Sequence, residues 1–393
     1  MKYCVIIIDA LSDRTYFRFR NRTPLEVART PSMDDVAKNG RIGLVKNSPQ
    51  NFPDESLVDI LSVCKKETKM YYTGIAGFEA KTLGIELEPN DWAFCCDFVS
   101  TFEGKLVDPT AGKIREQEAE LLIKELEEYF AKEPLKFYKI KNSHHLVVFK
   151  DIDFSEIITV NPYDISGHSI EKHYPKGDGH KLLVDIMQRA KKMLLEHEIN
   201  KIRLELQENP ADSIWLWGAG KIPLTPDFNE LFGLKGSIIT ASPGVKGFAK
   251  GIDLDIIDVP NINGSWNTNY EGKRDHALQA LSNSDIVFVH IGALMDLTRS
   301  DNVTQKIRIL EQIDKKIIGP LYKKLDDNLR MMVVEGHFIN KEDDGQNKSF
   351  VPFAIHGGNF PGGTDLEFNE KNARKVDFYI KQGYELLPFF LKK

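Results

Sequence analysis

No apolar run in this 393-residue chain approaches the roughly 20 residues that a membrane-spanning helix needs, and the opening residues read as a strand rather than a signal peptide. Positive charge is not in excess: 52 Lys and Arg face 58 Asp and Glu, a formal charge of -6. No basic stripe stands out, so neither nucleic acid nor membrane is an expected partner. Pairs such as Lys65-Lys66, Lys191-Lys192 and Lys315-Lys316 lie in helix-like contexts and read as solvated faces. Cysteine is scarce. Cys4, Cys64, Cys95 and Cys96 show no zinc-ligand spacing, and Cys95 and Cys96, as neighbours on a strand, point to opposite faces. A reducing, cytoplasmic setting is expected. Internal repeats and low-complexity tracts are absent. Gly357-Gly358 and Gly362-Gly363 lack the Lys and following helix of a P-loop, so they carry no nucleotide signal.

What is there suits a two-domain globular protein, with 41% hydrophobic residues supplying material for buried cores. Strand-like and helix-like segments alternate, which predicts an α/β fold with a sheet covered on both faces. Tyr3 to Ile8 is a continuous apolar run ending in Asp9, the pattern of a buried strand with a carboxylate at its C-terminal edge. Further strands are expected at Ser237 to Thr240, Leu254 to Val259, Ile286 to Ile291 and Arg330 to Val334. The period of Ala119, Leu122, Leu126 and Phe130 predicts a helix, as does Asn302 to Leu325. A long helical pattern from His180 to Leu206 is stopped by Asn209-Pro210. Thr30 to Asp34 reads as a helix start, with Pro31 in the first turn.

The most distinctive stretch is Asn209 to Lys221, in which Trp215 and Trp217 are flanked by Asn-Pro and Gly-Ala-Gly-Lys. With Thr23 to Asp34, Gly43 to Pro49, Tyr71 to Gly74, Leu83 to Leu87 and Thr268 to Lys273, it resembles the archaeal-type cofactor-independent phosphoglycerate mutases, a branch of the alkaline-phosphatase-like metalloenzymes. The resemblance implies an alkaline-phosphatase-like core sheet flanked by helices, residues 1–75 and 226–393, interrupted by a smaller α+β domain over 76–225. It also implies transfer of a phosphoryl group between the 3- and 2-hydroxyls of glycerate through a phosphoserine. Two divalent ions, manganese or magnesium, would activate the serine and neutralise charge.

Position by position, the resemblance places Asp9 at the first metal carboxylate and Ser56 at the nucleophile. The usual Gly-Ser-Asp is here Glu55-Ser56-Leu57, and a helix cap after Pro53-Asp54 is an equal reading of Ser56. Where the family carries Glu-Ala-Pro-Asp-Glu-Ala-Gly-His, this chain has Gly292 to Arg299: Met295 stands for the carboxylate and Arg299 for the imidazole. A guanidinium cannot coordinate a cation. Glu335-Gly336-His337 stands for Pro-Asp-His, keeping the histidine, and a late His-Thr pair is missing before Val351-Pro352-Phe353. The residual metal set is therefore Asp9, Ser56 and His337, with Asp296 and Glu335 as the acids that could replace lost ligands. At most one weakly bound ion is expected.

Substrate-binding positions drift as well. Gly74-Ile75-Ala76 replaces Gly-Arg-Gly, Ala111-Gly112-Lys113 replaces Ala-Gly-His, and His144-His145 keeps only the second member of an Arg-His pair. Lys221, Lys246, Lys273, His145 and Asp164 remain as matched candidates for a small phosphorylated acid. A solvated surface charge is the simpler reading of Lys221 and Lys273. Adjacent His144 and His145 diverge on a strand, which argues against a shared metal, and Trp215 with Trp217 are expected to pack in a core. The expectation is a mutase-family protein with absent or severely reduced activity. A non-catalytic regulatory relative, partnered by a paralogue or a second copy, is the alternative, as is an altered phosphoryl-transfer enzyme using one metal or none.

Overall fold

The computed structural model describes residues 1–47, 74–221, 227–325, 328–336 and 350–392. The chain divides into two compact units, Met1–Tyr72 with Leu224–Lys393, and Thr73–Pro223. Each has its own cluster of buried apolar side chains.

In the first unit, apolar runs long enough to be covered on both faces become the middle of a sheet. Strand β1 (Lys2–Ile8) is buried along almost its whole length. Its neighbours, among strands β2 (Arg41–Lys46), β8 (Gly236–Ile239), β9 (Asp255–Ile256), β10 (Ile286–Ile291), β11 (Leu329–Glu335), β12 (Phe350–Gly357) and β13 (Tyr379–Ile380), are set by the order β13-β2-β12-β11-β1-β10-β8-β9. β1 runs parallel to both β10 and β11, with Ile7 opposite His290 and Ile8 opposite Glu335. Three carboxyl ends therefore meet at one sheet edge, where α/β folds gather their functional groups. β12 lies antiparallel between β11 and β2.

Helices pack on this sheet through apolar faces such as Ile309, Leu310 and Ile313. The helix Pro31–Asn39 starts with Pro31 in its first turn, as its sequence predicts. Its orphan N–H groups are satisfied from afar: Ser32 and Met33 donate to the Asp314 carboxylate at 3.2 and 2.7 Å. Asp314 opens a π-helical turn, Asp314–Ile318, inside the expected helix from Asn302 to Leu325, which is α-helical over Val303–Ile313 and Gly319–Tyr322.

The second unit is an antiparallel sheet with helices. Strand β3 (Trp92–Phe102) pairs with β4 (Lys105–Asp108), β6 (His144–Phe149) and β7 (Ser213–Gly220), and β5 (Leu135–Lys141) adds beside β6. The amphipathic helices Glu116–Tyr129 and His180–Glu196 cover it. The single helix expected from His180 to Leu206 is two. His197 adopts an extended backbone (φ -71°, ψ 137°), ends the first helix and caps the second, Glu198–Glu205, by accepting from the Ile199 N–H at 3.1 Å. A capping side chain has overridden a continuous helical period.

Candidate active site

At the carboxyl edge of the first unit's sheet, Asp9 follows β1 and is buried. Its Oδ2 lies 2.8 Å from His290 Nε2, and His290 Nδ1 lies 2.8 Å from Thr240 Oγ1. Strand register builds this chain, because β10 and β8 present His290 and Thr240 beside the end of β1. Lys273, on the helix Tyr270–Ala280, donates to the His290 backbone carbonyl at 2.8 Å. It is 1% exposed, so the surface reading of Lys273 is overturned: its ammonium belongs to the buried site. Burial lowers its pKa to about 8, against the pull of Asp9.

A second network flanks Asp9. Glu335 at the end of β11 accepts from the Ser12 N–H at 3.1 Å and pairs with the Ser12 hydroxyl. Lys306 donates to the Ser12 carbonyl and to the Asp13 carboxylate, both at 2.9 Å. Glu370 accepts from Thr23 Oγ1 at 2.8 Å and from the Asp13 N–H at 3.3 Å. Burial raises the Glu335 carboxyl to about 8 and lifts Glu370 as well. Asn47 donates from Nδ2 to the Glu335 carbonyl at 2.5 Å, while its buried Oδ1 has no hydrogen-bond partner among the described residues.

The family's metals can be tested against these groups. Two oxygen donors of the kind such ions take are present in this unit: the buried Asp9 carboxylate, and the Asn47 oxygen that has no partner among the described residues. A second ion does not fit the described residues. Beyond β10, Gly292, Ala293, Leu294 and Met295 present no oxygen or imidazole ligand, and Asp296 is exposed on the short helix Met295–Arg299. Ser56 and His337 lie outside the described residues.

The candidate substrate groups fall in several places. Lys246, on the helix Pro243–Gly251, pairs with exposed Asp258 at 3.2 Å. Lys221 belongs to the second unit, where it donates to the Pro89 carbonyl at 3.1 Å and sits 5.0 Å from the Trp92 ring centre. Asp164 is exposed on a short 3-10 turn, Pro162–Ile165. His145 is sealed in the second unit's core, its Nδ1 accepting from the Ile140 N–H at 3.2 Å. Burial, followed by the neighbouring His144, lowers its pKa to about 3, so it offers no charge to an anion.

Sequence reasoning did not single out His290, Lys306, Glu370 or Thr23. His290 had a findable signal, a lone polar residue inside an otherwise apolar strand.

Comparison with known proteins decides the family. The chain is 33% identical to the 2,3-bisphosphoglycerate-independent phosphoglycerate mutase of Methanosarcina mazei and 35% identical to that of Methanothrix thermoacetophila, in each case over 100% of both chains. The chain belongs to the 2,3-bisphosphoglycerate-independent phosphoglycerate mutase family. The family model of that description matches residues 37–200. Among solved structures, a Pyrococcus horikoshii protein superposes with a TM-score of 0.77 at 22% identity, covering 99% of this chain and 96% of that one. The cofactor-independent phosphoglycerate mutase of Thermoplasma acidophilum gives 0.61 at 24% identity, with 100% and 99% covered. The fold of this mutase-family chain is therefore the α/β fold that the sequence predicts. Among the described residues, no helix is long and apolar enough to cross a membrane.

Proposed function

We propose that this mutase-family chain binds a small phosphorylated acid in the cytoplasm but interconverts 3- and 2-phosphoglycerate slowly or not at all. The observation that carries this reading is the end of β10, where residues 292–295 offer no ligand for a second ion and Asp296 is exposed. A single manganese or magnesium ion would be held by Asp9, Ser56 and His337, and when bound it would lower the serine's pKa and neutralise phosphoryl charge. Asp9 is oriented by His290, which Thr240 fixes in turn. Lys273 and Lys306 place two buried ammonium groups in the same unit. They supply charge without activating a hydroxyl. Losing one electrostatic contact of this kind costs about 10² to 10³ in turnover, so loss of an entire ion site leaves little. A non-catalytic role beside an intact paralogue, or as a homo-oligomer, fits the same reading.

The contrary reading, a working mutase, is favoured by the names that full-length relatives carry. The test is conversion of 3-phosphoglycerate with manganese, magnesium or cobalt, comparing the native chain with Ser56→Ala. The expected result is turnover at least about 10³ below that of an intact mutase assayed alongside. Robust conversion that disappears in Ser56→Ala would overturn the proposal.

A further inference from the structure

The second unit contains a polar cluster to which the proposed function assigns no role. On β3, Cys95 and Asp97 are two residues apart and share a face. Strand register sets His144 of β6 directly opposite Asp97, and Trp217 of β7 opposite Cys95. The helix Ile75–Leu83 lies against β3 and β7 and delivers Glu79 from above. Glu79 Oε2 is 2.8 Å from His144 Nε2 and 3.7 Å from Cys95 Sγ. The three ligand atoms all lie within 4.8 Å of one another.

The hydrogen bonds around the ring fix its chemistry. His144 Nδ1 pairs with Asp97 Oδ1, and the indole N–H of Trp217 donates to Asp97 Oδ2 at 2.8 Å. Asp97 is thereby the partner of Nδ1, which leaves Nε2 as the nitrogen that meets Glu79. Two acceptors 2.8 Å apart need a cation between them: either a proton or a metal. A carboxylate holding the far nitrogen of an imidazole is the usual support of a metal-ligating histidine. Around an ion of zinc's size, ligand atoms stand roughly 3.3 to 3.6 Å apart. The sulfur–oxygen pair at 3.7 Å lies close to that separation, and the nitrogen–oxygen pair at 2.8 Å would open by about 0.5 Å to take in the ion.

We propose that Cys95 Sγ, His144 Nε2 and Glu79 Oε2 form a binding site for a thiophilic divalent ion, zinc in the first instance. Asp97 and Trp217 orient the histidine, and the fourth position is open to water or an anion. The set of thiolate, imidazole and carboxylate selects zinc over manganese or magnesium, which prefer oxygen. His144 keeps 28% of its side chain exposed, giving an ion a way in, whereas Glu79 and Asp97 are buried. The site owes nothing to Asp9 and stands whether or not the chain turns over phosphoglycerate.

Cobalt(II) titration of the full chain is the test, read by visible and near-ultraviolet absorption. A thiolate-to-cobalt charge-transfer band is expected in the native chain and in Asp9→Ala, and zinc should displace it. The core candidates Asp9, Ser56 and His337 contain no sulfur and cannot produce that band. It should vanish in Cys95→Ser and weaken in His144→Asn, with far-ultraviolet dichroism confirming that both variants are folded. Absence of the band from the native chain, or its survival in folded Cys95→Ser, overturns the proposal. Should Cys95→Ser fail to fold, the native titration still decides, because zinc binding there must release protons from Cys95 and His144, measurable with an indicator dye. A native chain that binds no zinc and keeps His144 doubly protonated by NMR is a buried ion pair, not a metal site.

Discussion

Lys273 and Lys246 are both lysines at positions matched to the family's basic residues, yet they do different work. Lys273 is buried and holds the His290 carbonyl, so its removal leaves an acceptor unsatisfied beside a buried carboxylate. Lys246 is half-buried, but its partner Asp258 is 89% exposed, and an ion pair with so solvated a carboxylate contributes little. Lys273→Gln is therefore expected to destabilise the protein by about 2 kcal/mol, and Lys246→Gln by less than about 0.5 kcal/mol. Urea unfolding at pH 7 checks the contrast; equal effects would show that Lys273 is not held as described. The adjacent histidines teach the same lesson. His145 is pushed to about 3 by burial, while the Glu79 and Asp97 carboxylates overcome burial to raise His144 well above its ordinary value. One step along a strand exchanges a hydrophobic core for an acidic niche.

At the level of elements, the π-helical turn is a structural device rather than an irregularity, because it brings Asp314 to the start of the helix Pro31–Asn39. Burial raises the Asp314 carboxyl from 3.8 to about 6, although the Met33 and Ser32 N–H groups pull it down. Between those two values the folded chain holds a proton that the unfolded chain has released. Stability therefore falls as pH rises through that window. Asp314→Asn should abolish this part of the pH dependence. The difference in urea midpoint between native and variant should shift in the variant's favour from pH 4 to pH 6, and a constant difference would count against the assignment.

Elements also show what the sequence could tell. β10 occupies the residues predicted, and β1 and β11 extend only slightly beyond them, because buried parallel strands are unbroken apolar runs. β9 shrinks to Asp255–Ile256 within the expected Leu254 to Val259, since it pairs only with β8 at the sheet edge. The site was half legible. Asp9 announces itself at the end of an apolar strand, whereas its partner His290 is 281 residues away and is placed by register alone. The Glu79, Cys95 and His144 cluster escaped notice for the same reason: its members come from one helix and two strands, with no local spacing to read.

On the scale of the whole molecule, the two units carry separate cores, one drawn from residues 75–219 and the other from the rest of the described chain. A chain with two separate cores is one that can depart from all-or-none unfolding. Scanning calorimetry is expected to resolve two transitions, with Phe94→Ala lowering one and Ile309→Val lowering the other. A single transition displaced by both would refute that independence.

Gly336, just past β11, lies against the Asp9 carboxylate. A β-carbon there would come within 2.3 Å of Asp9 Oδ1 and 2.8 Å of the Ile7 side chain. Any side chain placed here would make Asp9 and Ile7 give way, and Asp9 is tied to His290. Position 336 thus works as a gauge of the room around Asp9: whatever is placed there is felt first at the site's own carboxylate.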